Sequence, residues 1–387
     1  MRLTAADVIA GVPLGFADNA AAPAVAMPVA DPWTALEGAL LPALAAAPVA
    51  IAFSGGRDSS LLLAVAVSAA RRHGLSPPIA ITNRFPHVLS SLESEWQESV
   101  IRKLEISDWE VLTLDNELDF LGDIARQGLV RDGLQSPPNA QSLVPVARAL
   151  RHGTVVVGVG GDELLGGWRW AGRLAAQRRP LTDGLRRGPK AVGGVLLGSA
   201  PSVVRRSVFR HRLVTQLRRG ADGYGWLTAS GRQAILAGLT EFEDQPVLWS
   251  DFVYWAASRR LITEVLATLQ RLALAEGVEV SAPLLDPAVL AALAAVRGRH
   301  GWTTRSEAMM EIAGDRLPVE VVTRRSKAEF TGAFWGPGAR DFVAQWDGSG
   351  VNSRFVDIEA LRAEWSKDRP DFRSMLLLQS AWLAQQL

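Results

Sequence analysis

The stretch Val49 to Ala70, VAIAFSGGRDSSLLLAVAVSAA, constrains the fold more than any other part of the chain. Val49 to Phe53 is an apolar run with the length of a buried strand. Gly55 and Gly56 bend the chain into a second apolar run, Leu61 to Ala70, so the stretch reads as strand, tight turn and helix. The turn carries hydroxyls at Ser54, Ser59 and Ser60 and a carboxylate at Asp58, next to the amides that a helix leaves unpaired at its N-terminus. Such a turn binds phosphate. It is not a Walker-type loop, because no GxxxxGK[ST] occurs and no Lys follows the glycines.

Strand and helix keep alternating after this stretch. PIAITN (78–83), EVLTL (110–114) and TVVVG (154–158) read as further short strands, separated by helical segments around Glu93 to Glu98 and from Ser142 to Arg151. This spacing predicts an α/β fold, a parallel sheet with helices on both faces and ligands at the carboxyl ends of its strands. From Thr228 onward the periodicity is helical, clearest over Leu261 to Leu274 and Pro287 to Val296. The expected organisation is an N-terminal arm and lead-in helix (1–48), a phosphate-binding α/β core (49–170), a basic insertion (171–227) and a helical half (228–387). Within the first segment, residues 1–31 read as irregular. Asp31 and Pro32 then start a helix as N-cap and first residue.

With 387 residues, 48% of them hydrophobic, the chain can bury a large core. Its formal charge of +1, from 41 basic and 40 acidic residues, gives no argument for nucleic acid or a membrane. The absence of Cys excludes disulfides and thiolate chemistry and suits a reducing compartment. The uncharged run from Gly38 to Gly56 is broken by Pro42, Pro48 and the glycine pair, so no transmembrane helix is read there. The N-terminus lacks a sustained apolar stretch of the signal-peptide kind, and the expected location is cytoplasmic. The five His are scattered without ligand spacing, so no zinc site is expected.

A second glycine-rich stretch, VGVGGDELLGGW (157–168), ends the fourth strand. It allows backbone to approach a ligand and sets Asp162 beside it, where with Asp58 it can hold Mg²⁺ on a polyphosphate. SGGRDS resembles the pyrophosphatase loop of enzymes that cleave ATP between the α and β phosphates (the PP-loop, or HUP-like, fold). SGGRDSS followed about a hundred residues later by GxGxDExxGG resembles the synthetase domain of asparagine synthetases. The likeness continues in RLALAEGVEVSAPLLD (271–286), similar to the family's GVExRxPFLD, and in LPVEVVTRRSKAEF (317–330), similar to its LP…RxKxxF.

The resemblance implies an AMP-forming carbon–nitrogen ligase that uses ATP and Mg²⁺. A carboxylate attacks the α-phosphorus and an amine then displaces AMP. It assigns Ser54, Gly55, Gly56, Asp58, Ser59, Ser60, Ile81, Val157 and Gly158 to ATP, Asp58 and Asp162 to the metal, and the catalytic cation to Lys327. The chain departs from the asparagine pattern at three places. Val159 stands where the family carries an acid, Gln270 where it usually has Asp, and Ser281 where it has Arg. The lost charges argue for a larger, less polar acid than aspartate, as in the macrolactam and lasso-peptide cyclases of the family. With no Cys, the glutaminase nucleophile of the glutamine-dependent members is also missing. The amine is expected from the substrate itself, from solution or from another protein. Glu264 and Glu279 remain as candidate bases, with a structural carboxylate as the alternative for each.

Between Arg169 and Arg219 lie thirteen Arg or Lys and a single acid, Asp183. This segment reads as a solvated helical insertion or as a docking surface for an acidic peptide, a leader-peptide-binding or carrier protein, or nucleic acid. Sparse aromatic residues there argue against nucleic acid. Trp168 and Trp170, just beyond the Asp162 loop, are either walls of a substrate pocket or core.

Overall fold

Side chains of strand β1 (Val49–Ala52) alternate between two apolar layers, which fixes it at the centre of the sheet. Val49, Ile51 and the following Phe53 join Leu36, Leu40 and Leu44 of the helix Pro32–Ala46 and the apolar face of the helix Arg57–His73. Ala50 faces the other way, toward Leu143 and Val146 of the helix Leu143–Leu150 and Leu269 and Leu272 of the helix Arg260–Leu274. The computed structural model describes residues 3–17, 31–46, 48–88, 94–166, 168–170, 200–218, 223–298, 300–324 and 330–386.

β1 pairs in parallel with β2 (Ile79–Arg84) on one side, Ala50 opposite Ile79, and with β4 (Gly153–Val156) on the other, Ala50 opposite Val155. β3 (Trp109–Thr113) and β5 (Val278–Ser281) complete an all-parallel order β3-β2-β1-β4-β5. The direction of winding reverses between β1 and β4. The crevice beyond their carboxyl ends is therefore where such a sheet takes its ligand. Four of these strands lie within a few residues of their predicted limits. The fifth has no strand signature of its own, because VEVS is short and half polar and becomes a strand by pairing with β4, Val278 opposite Gly153.

The lead-in helix begins as predicted, with Asp31 Oδ1 accepting from the amides of Trp33 (3.0 Å) and Thr34 (3.1 Å). Residues 3–17 differ from the irregular arm expected of them. Thr4 and Asp7 form a reciprocal cap on the helix Ala5–Ala10, and the buried Asp7 carboxylate pairs with Arg260 at 3.0 Å. That pairing spans more than 250 positions, so the local sequence gives no sign of it. Residues 18–30 lie outside the described residues.

The helical half has its own apolar cluster, built on Trp226, Trp346, Trp365 and the terminal helix Met375–Ala384, and it reaches the sheet side through Phe85 and Phe120. Trp168 and Trp170 are core: both are buried, and their indole N–H groups donate to the carbonyls of Pro246 and Gln245. Of the basic insertion, 171–199 and 219–222 lie outside the described residues. Among the described ones Arg205 and Arg206 pair with Asp244, and Arg169, just ahead of the insertion, pairs with Glu243. Among the described residues no helix is long and apolar enough to cross a membrane.

Candidate active site

The turn after β1 is held by its own hydroxyls. Ser59 Oγ donates to Gly56 O (3.1 Å) and accepts from Ser54 N (3.3 Å), while Ser54 Oγ accepts from Gly56 N (3.2 Å). Gly55 takes φ +82°, a conformation only glycine adopts without strain. The first intrahelical bond is Ser60 N to Gly56 O, so the amides of Arg57, Asp58 and Ser59 have no acceptor within the helix. Gln97 Nε2 holds Ser54 O at 3.1 Å and is itself held by Arg84 at 3.0 Å, which ties the turn to the helix Ser94–Lys103.

The second glycine-rich loop closes directly onto Asp58. A Cβ at Gly161 would stand 2.2 Å from Asp58 Cγ, and one at Gly158 would stand 3.2 Å from Asp58 Cβ. The two motifs thus meet because glycine leaves room for the carboxylate. Asp162, in the first turn of the helix Gly161–Gly166, lies near Asp58, and the guanidinium of Arg305 bridges the two carboxylates. Burial pushes the Asp58 carboxyl above its ordinary range despite the opposing pull of Arg305. Neighbouring Glu163 is also raised by burial, and desolvation lowers nearby Arg259 to about 10.

Around these groups is a pocket of about 230 Å³, lined by Ser54, Gly56, Asp58, Ser59, Gly158 and Asp162 and by three guanidinium groups, Arg57, Arg305 and Arg324. Arg57 is held weakly, its Nη1 3.4 Å from Ser306 Oγ and from Arg324 O. A second cavity of about 250 Å³ adjoins it and shares Ala52 and Ser54. Its walls are apolar, with Ile81, Val157, Leu269, Phe330 and Phe334 among them. Asn83 lies in the wall too, its Nδ2 donating to Ser142 O (2.8 Å) and its buried Oδ1 having no partner among the described residues. An apolar slot with one open acceptor suits a base bearing an amino group.

A family profile described as asparagine synthase matches residues 36–384. The chain belongs to the asparagine synthase family. The match takes in the sheet, both glycine-rich loops and the helical half, so the family's ATP-dependent formation of amide bonds applies to the whole arrangement. A search of curated proteins finds no match.

The family's usual Mg²⁺ fits the residues present. Asp58 Oδ1 is a buried carboxylate oxygen with no hydrogen-bond partner among the described residues, and Asp162 approaches from the opposite loop. Two carboxylates with the remaining ligands from phosphate is a normal environment for this ion. Among the described residues no group of three or more His, Asp or Glu is gathered to hold a metal without such help.

The structure brings together Ser54, Gly56, Asp58, Ser59, Gly158 and Asp162 in one pocket and Ile81 and Val157 in the adjoining cavity. Gly55 supplies the turn, and Ser60 is fully buried behind it. Lys327 lies outside the described residues, but Arg324 lines the pocket around Asp58 and Phe330 the apolar cavity, one on each side of it in sequence. The two candidate bases lie elsewhere. Glu264, 4% exposed, lines a separate cavity of about 600 Å³ with Arg131, Asp132 and Arg271, and Glu279 points to solvent from β5. Sequence reasoning missed Arg57, Arg305, Arg324, Asn83 and Gln97 as contributors. Arg57 was visible inside SGGRDS and Arg324 inside TRRSK. Arg305 carried no signal, since TTRSE reads as an ordinary capped helix start.

Proposed function

We propose that the chain adenylates the carboxylate of a peptide or modified amino acid and passes the acyl group to an amine. The observation that carries this reading is the junction at Ala52 and Ser54, residues that line both an apolar cavity and a pocket with three guanidinium groups at the end of one strand. A nucleotide laid across that junction has its base in apolar surroundings and its terminal phosphates among cations. Its α-phosphorus is then left where a carboxylate can reach it.

A carboxylate oxygen attacks the α-phosphorus and the bond to pyrophosphate breaks. The amine nitrogen next attacks the acyl carbon, AMP leaves with the bonding electrons, and the amine proton passes to a base. Arg57, Arg324 and the amides of the first turn oppose the charge that gathers on pyrophosphate. Asp58 and Asp162 would hold Mg²⁺, which would supply further charge neutralisation to the leaving group. Lys327 is assigned to the α-phosphate and then to the tetrahedral oxyanion, in keeping with its flanking residues at the two parts of the site.

Val159 packs against the apolar layer of the sheet, and Gln270 and Ser281 add no charge. These residues favour an acyl group less polar than aspartate. The specific form we favour is ring closure of a ribosomal peptide, with acid and amine in one molecule. Product mass separates this from intermolecular ligation, since cyclisation loses one water and ligation adds a second component.

Exchange of labelled pyrophosphate into ATP, run with a panel of peptides and amino acids, tests the reading. Exchange should depend on the acid and vanish in Asp58→Ala. Lys327→Ala should bind nucleotide normally yet form product on the order of 100-fold more slowly, the typical effect of removing one oxyanion partner. Absence of exchange with every acid, together with no ATP binding by calorimetry, would sink the enzyme reading; nucleotide binding without exchange would favour the alternative of a catalytically silent nucleotide-binding scaffold.

A further inference from the structure

Arg305 stands out because it contacts one oxygen of each carboxylate assigned to the metal. Its Nη2 donates to Asp58 Oδ2 and its Nη1 to Asp162 Oδ1. The side chain is 14% exposed, and its stem passes over Gly166, where a Cβ would stand 3.3 Å from Arg305 Cδ. The residue opens the helix Arg305–Ala313, which Thr304 caps by accepting from Glu307 N at 3.1 Å, so its backbone is fixed while the side chain spans the pocket. Arg305 Nε is buried with no hydrogen-bond partner among the described residues, leaving one donor unused.

Two carboxylates in one pocket repel unless a cation stands between them. The planar fork of arginine suits that position, and it occupies oxygens that a divalent ion also needs. We propose that Arg305 and the divalent cation are alternative partners of the Asp58–Asp162 pair, and that Arg305 turns onto pyrophosphate when metal and nucleotide enter together. This rests on the phosphate-pocket reading above. One side chain thereby serves as a built-in counter-ion for the carboxylates and as a phosphate ligand. The metal is admitted only with the polyphosphate that draws the guanidinium away.

Binding of Mn²⁺ to the full chain without added nucleotide, followed by electron paramagnetic resonance, tests the first half. Calorimetry with magnesium pyrophosphate tests the second. Arg305→Met keeps the apolar stem and should bind Mn²⁺ at least tenfold more tightly than the unaltered chain while binding magnesium pyrophosphate at least tenfold more weakly. Arg305→Lys keeps the charge without the fork and should fall between the two in both measurements, which preserves the test if the Met variant does not fold. Unchanged Mn²⁺ affinity in the variants overturns the competition, and unchanged pyrophosphate affinity overturns the transfer. If neither the unaltered chain nor any variant binds magnesium pyrophosphate, the phosphate-pocket reading itself fails, an outcome distinct from either.

Discussion

A Cβ at Gly161 would fall 2.2 Å from the carboxylate carbon of Asp58, which cannot swing aside freely because Arg305 also holds that carboxylate. Gly161→Ala must therefore push Asp58 or the whole second loop away from the turn at Ser54. Overpacking of this kind costs roughly 1–3 kcal/mol. Nucleotide affinity is expected to fall at least about tenfold by calorimetry, since a displacement costing 1.4 kcal/mol at the ligand is already that factor. Gly225→Ala serves as the control, because a Cβ there meets nothing within 4 Å. Equal loss in both variants would show that the close approach to Asp58 is not what matters.

At the scale of elements, the terminal helix is secured by a short turn in front of it. Asp371 caps that turn, accepting from Arg373 N (2.9 Å), Nε (2.9 Å) and Nη2 (2.6 Å), and Arg373 also donates to Gly223 O and lies over the Tyr224 ring. Burial alone would raise the Asp371 carboxyl, but the hydrogen bonds and charge of Arg373 hold it below the ordinary carboxylate value of 3.8. A depressed folded-state value adds stability that is present above that pH and is lost as pH falls through the lower one. Asp371→Asn should thus lower unfolding stability by about 1 kcal/mol at pH 7. The difference from the unaltered chain should shrink at pH 3 in denaturant titrations. A deficit of the same size at both pH values would mean that the cap geometry, and not the charge, is at work. Elements of this local kind were readable in advance: Asp31 and Pro32 announce their helix, and the four apolar strands announce themselves. The helix Ala5–Ala10 and the strand Val278–Ser281 were not, because each is held by a distant partner, Arg260 in one case and β4 in the other.

The same division between local and distant runs through the site and gives the whole molecule its logic. Residues 54–60 and 158–162 are contiguous motifs, so a phosphate-binding turn and a carboxylate loop are legible locally, while the reaction they serve is implied by the family resemblance. Arg305, Arg324, Phe330 and Phe334 come from the helical half and reach the same two spaces only through folding. A ligand there touches both the sheet loops and the helical half, so its binding free energy should stabilise them together. At one hundred times its dissociation constant a ligand adds about 2.7 kcal/mol. For a chain of 387 residues that raises the midpoint of thermal unfolding by roughly 3 °C. Hydrogen exchange with and without Mg-ATP locates the effect. Amides at 56–60 and those opening the helix Arg305–Ala313 should gain protection together, and both gains should disappear in Asp58→Ala. Protection limited to the turns after β1 and β4 would mean that nucleotide engages the sheet alone. The cations and aromatic residues supplied by the helical half would then have to serve the acyl substrate instead.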